Sequence, residues 1–213
     1  MEKSEEKKTI NFYHNDISRD LFNLYKTSSY IAVDTEAMGL IHGRDRLCLI
    51  QICNELQLTS CIKIELNTSS SPNLQNLFED EKIIKVFHYA RFDVAALKCN
   101  LGINTRNIFC TKISSKLART YTNKHGLKDL INELLGIELD KSSQSSDWGR
   151  DENLTSEQVD YAANDVRYLI EAMHKLRVIL KREGRQDLAQ KCFNTVPVYA
   201  DLDILKFSNI FEH

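Results

Sequence analysis

Short apolar runs dominate the first half of the chain, and helical repeats dominate the second half. Five runs rich in Val, Ile, Leu, Phe and Cys are bounded by polar or turn-forming residues, which predicts β-strands. These strands are predicted at 30–36, 47–53, 56–64, 82–88 and 107–110. The first three follow one another closely along the chain, so antiparallel pairing between neighbours is expected.

Segments with helical periodicity lie between these strands and continue after the last of them. Helices are predicted at 18–25, 74–80, 92–101 and 127–135. A further helix begins at Thr155, which forms a capping-box pattern with Gln158, and it is predicted to run to residue 182, before Gly184. Antiparallel strands, then strand–helix alternation, then helices indicate an α/β fold in which helices flank a mixed five-stranded sheet.

The composition suits a single domain with a substantial core. The chain has 213 residues, and 42% of them are hydrophobic. Residues 1–10 are predicted to be flexible, 11–194 to form the domain, and 195–213 to form a tail that packs back on it. The formal net charge of −2 gives no overall positive field, so local charge or metal ions would have to hold a nucleic acid.

Neither a secretory signal nor a membrane span is predicted. The first ten residues are charged and lack an apolar core. No apolar run approaches the roughly 20 residues that cross a bilayer. None of the six cysteines forms a CxxC pair, and most lie in apolar segments, which indicates buried thiols in a reducing compartment. We therefore predict a cytoplasmic protein without membrane contact.

Two acidic residues stand at the end of the first predicted strand. Asp34 and Glu36 stand two apart in YIAVDTEAMGL, so both side chains project from the same face of the strand. Adjacent carboxylates repel each other, and a hard divalent cation between them removes that cost. Taken alone, such a pair is more often a solvated strand end than a metal site.

Two later segments supply further acids. Asp93 lies in the first turn of a predicted helix, where an acid also complements the helix dipole. Tyr161 and Asp165 are four residues apart and share one face of the helix that Thr155 begins. Carboxylates without interleaved His or Cys suit Mg²⁺ or Mn²⁺ and not zinc. Two such ions about 4 Å apart can hold the attacking and leaving oxygens of a phosphodiester.

The order of these motifs resembles that of the ribonuclease D family, in the tyrosine-bearing (DEDDy) branch of the DEDD exonucleases. The D-x-E pair, the HYARFD segment and the Y-x-x-x-D motif occur in the family's order, with matching segments such as LCLIQI, HGLKDL and LTSEQVDYAANDVRYL. The resemblance is clear over about residues 28–183 and weaker in the tail. It implies a ribonuclease H-like fold and a short form without the C-terminal helical domains of longer members.

The resemblance also implies roles for the acidic residues and the tyrosine. Asp34, Glu36 and Asp165 would ligate one divalent cation. Asp34 would bridge to a second cation, which Asp93 would support, so the implied cofactors are two Mg²⁺ or Mn²⁺ ions. Tyr161 would orient the attacking water.

Several other residues are candidates for binding the substrate. These candidates are Met38, Gly39, Leu40, His88, Phe92 and Gln144. The first three directly follow the acidic pair, and in the family this segment holds the last nucleotide. The next two lie close to Asp93, and the last matches a family segment near the active site. A stretch from 111 to 128 with five basic residues and no acid is a further candidate for holding a nucleic-acid backbone.

These implications predict a metal-dependent 3′→5′ exonuclease that acts on single-stranded RNA ends and releases nucleoside 5′-monophosphates. Small structured RNAs, such as transfer-RNA precursors, are candidate substrates. A DNA exonuclease is an alternative, because a two-metal site reads phosphates, whereas discrimination of the sugar needs contacts to the 2′ hydroxyl. A non-catalytic nucleic-acid-binding module is a further alternative, which the retained acids disfavour. The sequence leaves the oligomeric state open.

Overall fold

The computed structural model describes residues 10–139, 146–149 and 154–210, and within them a mixed sheet is flanked by helices. The α/β class predicted from the sequence is confirmed. The strands are β1 (Ile10–His14), β2 (Tyr30–Ala37), β3 (Leu47–Asn54), β4 (Thr59–Lys63), β5 (Ile84–Phe87) and β6 (Ile108–Cys110). Their order across the sheet is β1-β4-β3-β2-β5-β6.

The centre of the sheet is the antiparallel pair β2–β3, and β4 continues this pairing on the far side of β3. Every residue of β3 and β4 is buried, which accounts for their continuous apolar runs. β5 and β6 join in parallel beside β2, with a helix in the connection between them. The β2–β3 register shifts between Glu36 and Ala37, at the end of β2 that carries the acidic pair.

The predicted count of five strands is wrong, because β1 adds a sixth strand at one edge of the sheet. β1 pairs in parallel with β4, so that Ile10 is the partner of Thr59. The strand has no apolar run of its own, and Phe12 is exposed. Pairing across so long a sequence separation leaves no local signal. Residues 1–9 of the predicted flexible segment lie outside the described residues, and Ile10 already belongs to the strand.

The described residues contain eight α-helices. They are α1 (Arg19–Lys26), α2 (Pro72–Phe78), α3 (Ala90–Leu101), α4 (Thr111–Ala118), α5 (Leu127–Leu135), α6 (Ser156–Arg167), α7 (Leu169–Arg182) and α8 (Gln186–Ile204). The predicted capping box is present at the start of α6, where the Thr155 hydroxyl accepts from the Gln158 backbone N–H and the Gln158 side chain accepts from that of Thr155. None of the described helices is both long enough and apolar enough to cross a bilayer.

The single helix predicted from Thr155 to residue 182 is in fact two helices, α6 and α7, which meet at Tyr168. No glycine or proline marks this junction. α6 packs on the strands β1 to β4, whereas α7 packs on α4, α5 and β5. The two helices thus share contacts with β2 but otherwise pack on different neighbours, a difference that the local sequence does not reveal.

The last helix, α8, lies against α3 and β6. Asp203 of α8 accepts two hydrogen bonds from the Arg91 guanidinium, both at 2.5 Å, and Val196 and Ala200 are buried. The boundary predicted between residues 194 and 195 falls inside this helix. Beyond it, the apolar side chains of the described tail are exposed, namely Leu205, Phe207 and Ile210.

Candidate active site

Three carboxylates converge at the end of β2. Asp34 and Glu36 of β2 and Asp165 of α6 each place a carboxylate oxygen within 4.8 Å of the others. Asp34 and Glu36 share one face of the sheet because strand side chains alternate. α6 packs on the sheet and brings Asp165 to the same point. All three side chains are partly buried, so their charges are poorly screened by water.

Asp93 reaches this cluster by way of the opposite face of β2. Its carboxylate accepts a hydrogen bond of 2.7 Å from the hydroxyl of Thr35, the residue between the two acids of β2. Asp93 is 3% exposed and lies in the first turn of α3. The structure thus brings three acids into one group and holds the fourth beside it, on the hydroxyl of Thr35.

Burial raises the pKa of every acid in this group, and repulsion by neighbouring acids raises it further for Asp34 and Glu36. Burial raises the pKa of Asp34 well above its ordinary value, and the charges of Asp93, Asp165 and Glu36 raise it further. The pKa of Glu36 is raised to about 8 by burial and then by Asp165 and Asp93. Burial raises the pKa of Asp93 and that of Asp165 to about 7. The protein therefore stores electrostatic repulsion at this point, which a cation would relieve.

The chemistry of this donor set fits a hard divalent cation. The ligand atoms that the described residues offer at the cluster are carboxylate oxygens, which Mg²⁺ and Mn²⁺ prefer, without a histidine or thiol that would favour zinc. The raised pKa values support the same assignment. Without a cation these carboxyl groups hold protons, and a bound cation would take the place of those protons. Asp34, Glu36 and Asp165 are therefore able to hold a divalent metal ion.

Two of the acids, Glu36 and Asp165, line a cleft of about 370 Å³. The cleft is lined by Thr35, Glu36, Ala37, Gly39, Leu40, Phe92, Ser146, Trp148, Tyr161 and Asp165. Trp148 is buried and lies close to Tyr161, with 6.3 Å between the ring centroids. A wall of Leu40 and Phe92 separates the cleft from a second depression of about 400 Å³.

The loop after β2 brings backbone close to the acids. Gly39 lines the cleft, and a Cβ atom at this position would overlap the Asp45 carboxylate, which binds the backbone N–H of Ile41. A larger side chain at this position would therefore require the Asp45 carboxylate to move. The Leu40 side chain is 80% exposed at the cleft, and Met38 is 60% exposed. The roles predicted for these residues in holding a nucleotide stay predictions.

Two other substrate-binding candidates occupy different surroundings. Phe92 lines the cleft. The His88 ring instead bonds the hydroxyl of Thr111 at 2.9 Å, and burial lowers its pKa to about 3, so the ring is neutral. His88 is not among the described residues that line the cleft. Gln144 lies outside the described residues, and its role stays a prediction.

The basic stretch at 111–128 is only partly available to a ligand. Arg119 is fully buried, pairs with Glu133 and donates to the Ser115 hydroxyl, so the hypothesis that it holds nucleic acid is wrong. Its guanidinium group is instead used in interactions within the protein. The Nζ atom of Lys112 lies 4.4 Å from the centre of the Tyr89 ring. Tyr89 is close to Phe92 in sequence. The sequence pattern missed this difference because burial decides which charges in a run are free to bind.

The sequence interpretation also missed Thr35, which holds Asp93. Its position between two acids gave no signal, because a threonine in a strand is ordinary. Alternation alone would place its side chain on the opposite face from Asp34 and Glu36. Only the packing of α3 on β2 shows that another acid, Asp93, meets the Thr35 side chain there.

A ribonuclease H-like α/β domain with an acidic cleft at the end of a central strand is the class that this fold and site define. The family model described as 3′-5′ exonuclease matches residues 10–181. The chain belongs to this 3′-5′ exonuclease family. The resemblance to ribonuclease D and the ribonuclease H-like fold predicted from the sequence are both confirmed.

Among individual relatives, ribonuclease D of Sphingobium indicum is 34% identical over 160 residues, which cover 75% of this chain and 41% of that protein. The chain thus spans about two fifths of the length of the curated ribonuclease D relatives it matches. The structure of Brucella melitensis NrnC is 42% identical, with a TM-score of 0.91, and the match covers 96% of this chain and 99% of that one. NrnC has also been solved with bound Mg²⁺.

Escherichia coli RNase D shares the fold at 24% identity, with a TM-score of 0.75 and coverage of 85% of this chain and 47% of that one.

Replacing Tyr161 with phenylalanine is expected to slow turnover by about 10- to 100-fold, toward the lower end of what positioned proton-transfer groups contribute. The ring would still lie beside Trp148, while the hydroxyl of this residue, which lines the cleft with Asp165, would be lost. Single-turnover cleavage of a 3′-end substrate measures this effect. Tyr168→Phe, at the junction with α7, is the matched control and should cleave normally. Normal turnover in Tyr161→Phe would remove the tyrosine from the catalytic set.

Proposed function

We propose that this chain is a divalent-metal-dependent 3′→5′ exonuclease that acts on single-stranded RNA ends and releases nucleoside 5′-monophosphates. The observation that carries this proposal is the group of Asp34, Glu36 and Asp165, of which Glu36 and Asp165 line a cleft together with Tyr161. A cleft of about 370 Å³ lies in the size range of pockets for one small ligand. It therefore suits a terminal nucleotide better than a duplex, which favours cleavage at chain ends.

The proposed cofactors are two divalent cations, Mg²⁺ or Mn²⁺. Asp34, Glu36 and Asp165 would hold one cation, while Asp34 and Asp93 would hold the second. The Mg²⁺ found in Brucella melitensis NrnC supports the choice of metal. When bound, the cations would neutralise the acids, make the attacking water more acidic and stabilise the charge that develops on the phosphate.

The protein groups around the acids would position the substrate. Tyr161 would hydrogen-bond the attacking water and fix its direction of approach, and Glu36 would contact the terminal 3′ hydroxyl, which selects chain ends. The wall of Leu40 and Phe92 separates two depressions, so the last base would occupy one and the preceding base the other. His88 and Gln144 are proposed as further substrate contacts.

Short RNAs are the substrate class that the relatives support most directly. Brucella melitensis NrnC, at 42% identity, has been solved bound to pGG. Two depressions on either side of one apolar wall match a ligand with two bases. Small structured RNAs, including transfer-RNA precursors, are proposed as longer substrates through their single-stranded 3′ ends, and the proposed location is the cytoplasm.

A DNA 3′→5′ exonuclease is the second candidate. DNA polymerase I of Aquifex aeolicus is 36% identical over 155 residues, although these make up only 25% of that protein. A divalent cation held by the acidic cluster would contact the phosphate of either nucleic acid, so the cluster itself does not distinguish the two sugars.

The proposal is tested with 5′-labelled single-stranded RNA and DNA of the same sequence, together with pGG, in Mg²⁺, Mn²⁺ or EDTA. We expect a ladder that shortens from the 3′ end in either metal, faster with RNA than with DNA, and no cleavage in EDTA. Faster cleavage of DNA would favour the second candidate. Intact substrates in both metals would contradict nuclease function, and a binding titration would then test the non-catalytic alternative.

A further inference from the structure

Gln51 of β3 is a buried amide that stands directly beside the acidic cluster. It is 0% exposed, and neither its Oε1 nor its Nε2 atom has a hydrogen-bond partner among the described residues. Folded proteins retain few buried polar groups of this kind, because an unpaired buried amide is costly. The sequence analysis assigned no role to Gln51.

The sheet register explains where this amide points. Gln51 is the Cα partner of Asp34 in the antiparallel β2–β3 pair. Residues directly opposite in such a pair share a face, with their Cβ atoms about 4.5–5.5 Å apart. The Gln51 side chain therefore lies next to the Asp34 carboxylate, on the face that α6 covers.

The other neighbours on this face are apolar or weakly polar. Leu49 is opposite Glu36, and Cys61 of β4 is the partner of Gln51 on its other side. Both pack with Ala162 and Ala163 of α6. Among its two cross-strand partners, the Gln51 amide has one strong acceptor, the carboxylate of Asp34, and one weak donor, the thiol of Cys61.

We propose that Gln51 is a positioning residue for Asp34, whose amide N–H binds the Asp34 carboxylate and holds it in the orientation that ligates a divalent cation. The amide oxygen then accepts from the Cys61 thiol, so that both ends of the side chain are satisfied. Burying the Gln51 amide costs free energy, and the protein keeps this residue because it fixes the orientation of one metal ligand. This inference deepens the proposed function and rests on it for the role of Asp34.

The test is a titration of the metal-free protein with MnCl₂, in which electron paramagnetic resonance reports free Mn²⁺ and no nucleic acid is present. Gln51→Leu keeps the size of the side chain and removes the amide. We expect Mn²⁺ to bind about 10-fold more weakly, as for other groups that orient metal ligands, and kcat to fall while KM for RNA is unchanged. The metal-free melting temperature of each variant is measured alongside, so that a loss of Mn²⁺ affinity is compared only between folded proteins.

Cys53→Ala is the matched control, since Cys53 is buried in the same strand and on the same face as Gln51, two residues further along. It is expected to change stability and leave Mn²⁺ affinity unaltered. Gln51→Met, of similar length, replaces the leucine variant should that variant fold poorly.

Unchanged Mn²⁺ affinity in the folded Gln51 variants would overturn the inference, as would an equal loss of affinity in Cys53→Ala. Because the titration contains no nucleic acid, this outcome is independent of whether the protein degrades RNA.

Discussion

Replacement of Asp34 with asparagine is expected to reduce cleavage of RNA ends by at least about 100- to 1000-fold, because a bound cation contributes several kcal/mol of transition-state stabilisation and each 1.4 kcal/mol is a factor of ten. Asp34 is the central member of the group, since the charges of Asp93, Asp165 and Glu36 all act on it. Asparagine keeps its shape and removes its charge. The fold is therefore expected to persist while the cation loses a ligand.

The same substitution is expected to raise the metal-free melting temperature. Removing one of several buried, mutually repelling carboxyls relieves repulsion in the folded state and changes little in the unfolded chain. The measurement pairs an end-labelled cleavage assay with thermal denaturation in EDTA. Asp187→Asn, in the exposed first turn of α8, is the control and should alter neither quantity. Near wild-type cleavage by Asp34→Asn would show that the acidic cluster is not the catalytic site.

Divalent metal is expected to raise the melting temperature much more at pH 8 than at pH 6.5. At pH 6.5 the unfolded chain has already lost its carboxyl protons, whereas Glu36, with a pKa of about 8, and Asp93 and Asp165, each with a pKa of about 7, are still largely protonated in the folded state. The folded, metal-free protein therefore binds more protons than the unfolded chain. Its stability falls as the pH rises through these pKa values.

The fall should be on the order of 2 kcal/mol between about pH 6.5 and pH 8, which corresponds to about 4–8 °C for a chain of this size. Mg²⁺ reverses the fall because it binds the ionised carboxylates that have become costly. At lower pH, protons compete with the metal for the same oxygens, so its effect is smaller.

The pH window is chosen so that other titrating groups contribute little. Burial lowers the pKa of His88 to about 3, so it increases stability with pH only below its ordinary value of 6.5. Burial also lowers the pKa of Lys85 to about 8, so Lys85 increases stability with pH only above that value. Melting curves of the wild type and of Asp34→Asn, each with MgCl₂ and with EDTA, measure the effect. A Mg²⁺ shift of equal size at both pH values would contradict it.

The sequence was sufficient to indicate the elements that local patterns specify. The D-x-E pair lies near the end of a strand, where alternation puts both acids on one face, and the structure places their oxygens together. The capping box of Thr155 and Gln158 is also local, since its two hydrogen bonds join residues three apart. Such features need only the geometry of one strand or one helical turn.

Features that depend on distant parts of the chain could not be predicted in this way. β1 becomes a strand because β4 offers it an edge, and the pairing of Ile10 with Thr59 is invisible in the local pattern. Arg119 was one of several similar basic residues until the packing of α5 placed Glu133 beside it and buried it. The run from Thr155 to residue 182 reads as one helix, and two different packing surfaces divide it.

The candidate site divides along the same line. The sequence by itself determined which residues supply the clustered carboxyl groups, namely Asp34, Glu36 and Asp165, and on which element each one lies. Only the tertiary structure decided that Asp93 is held by the Thr35 hydroxyl, and that Gln51 stands beside Asp34 without a partner among the described residues. The physical reason is that periodicity fixes the direction of a side chain within its own element. Its neighbours, and therefore its charge state and ligands, are fixed by the register and packing of elements that are distant in sequence.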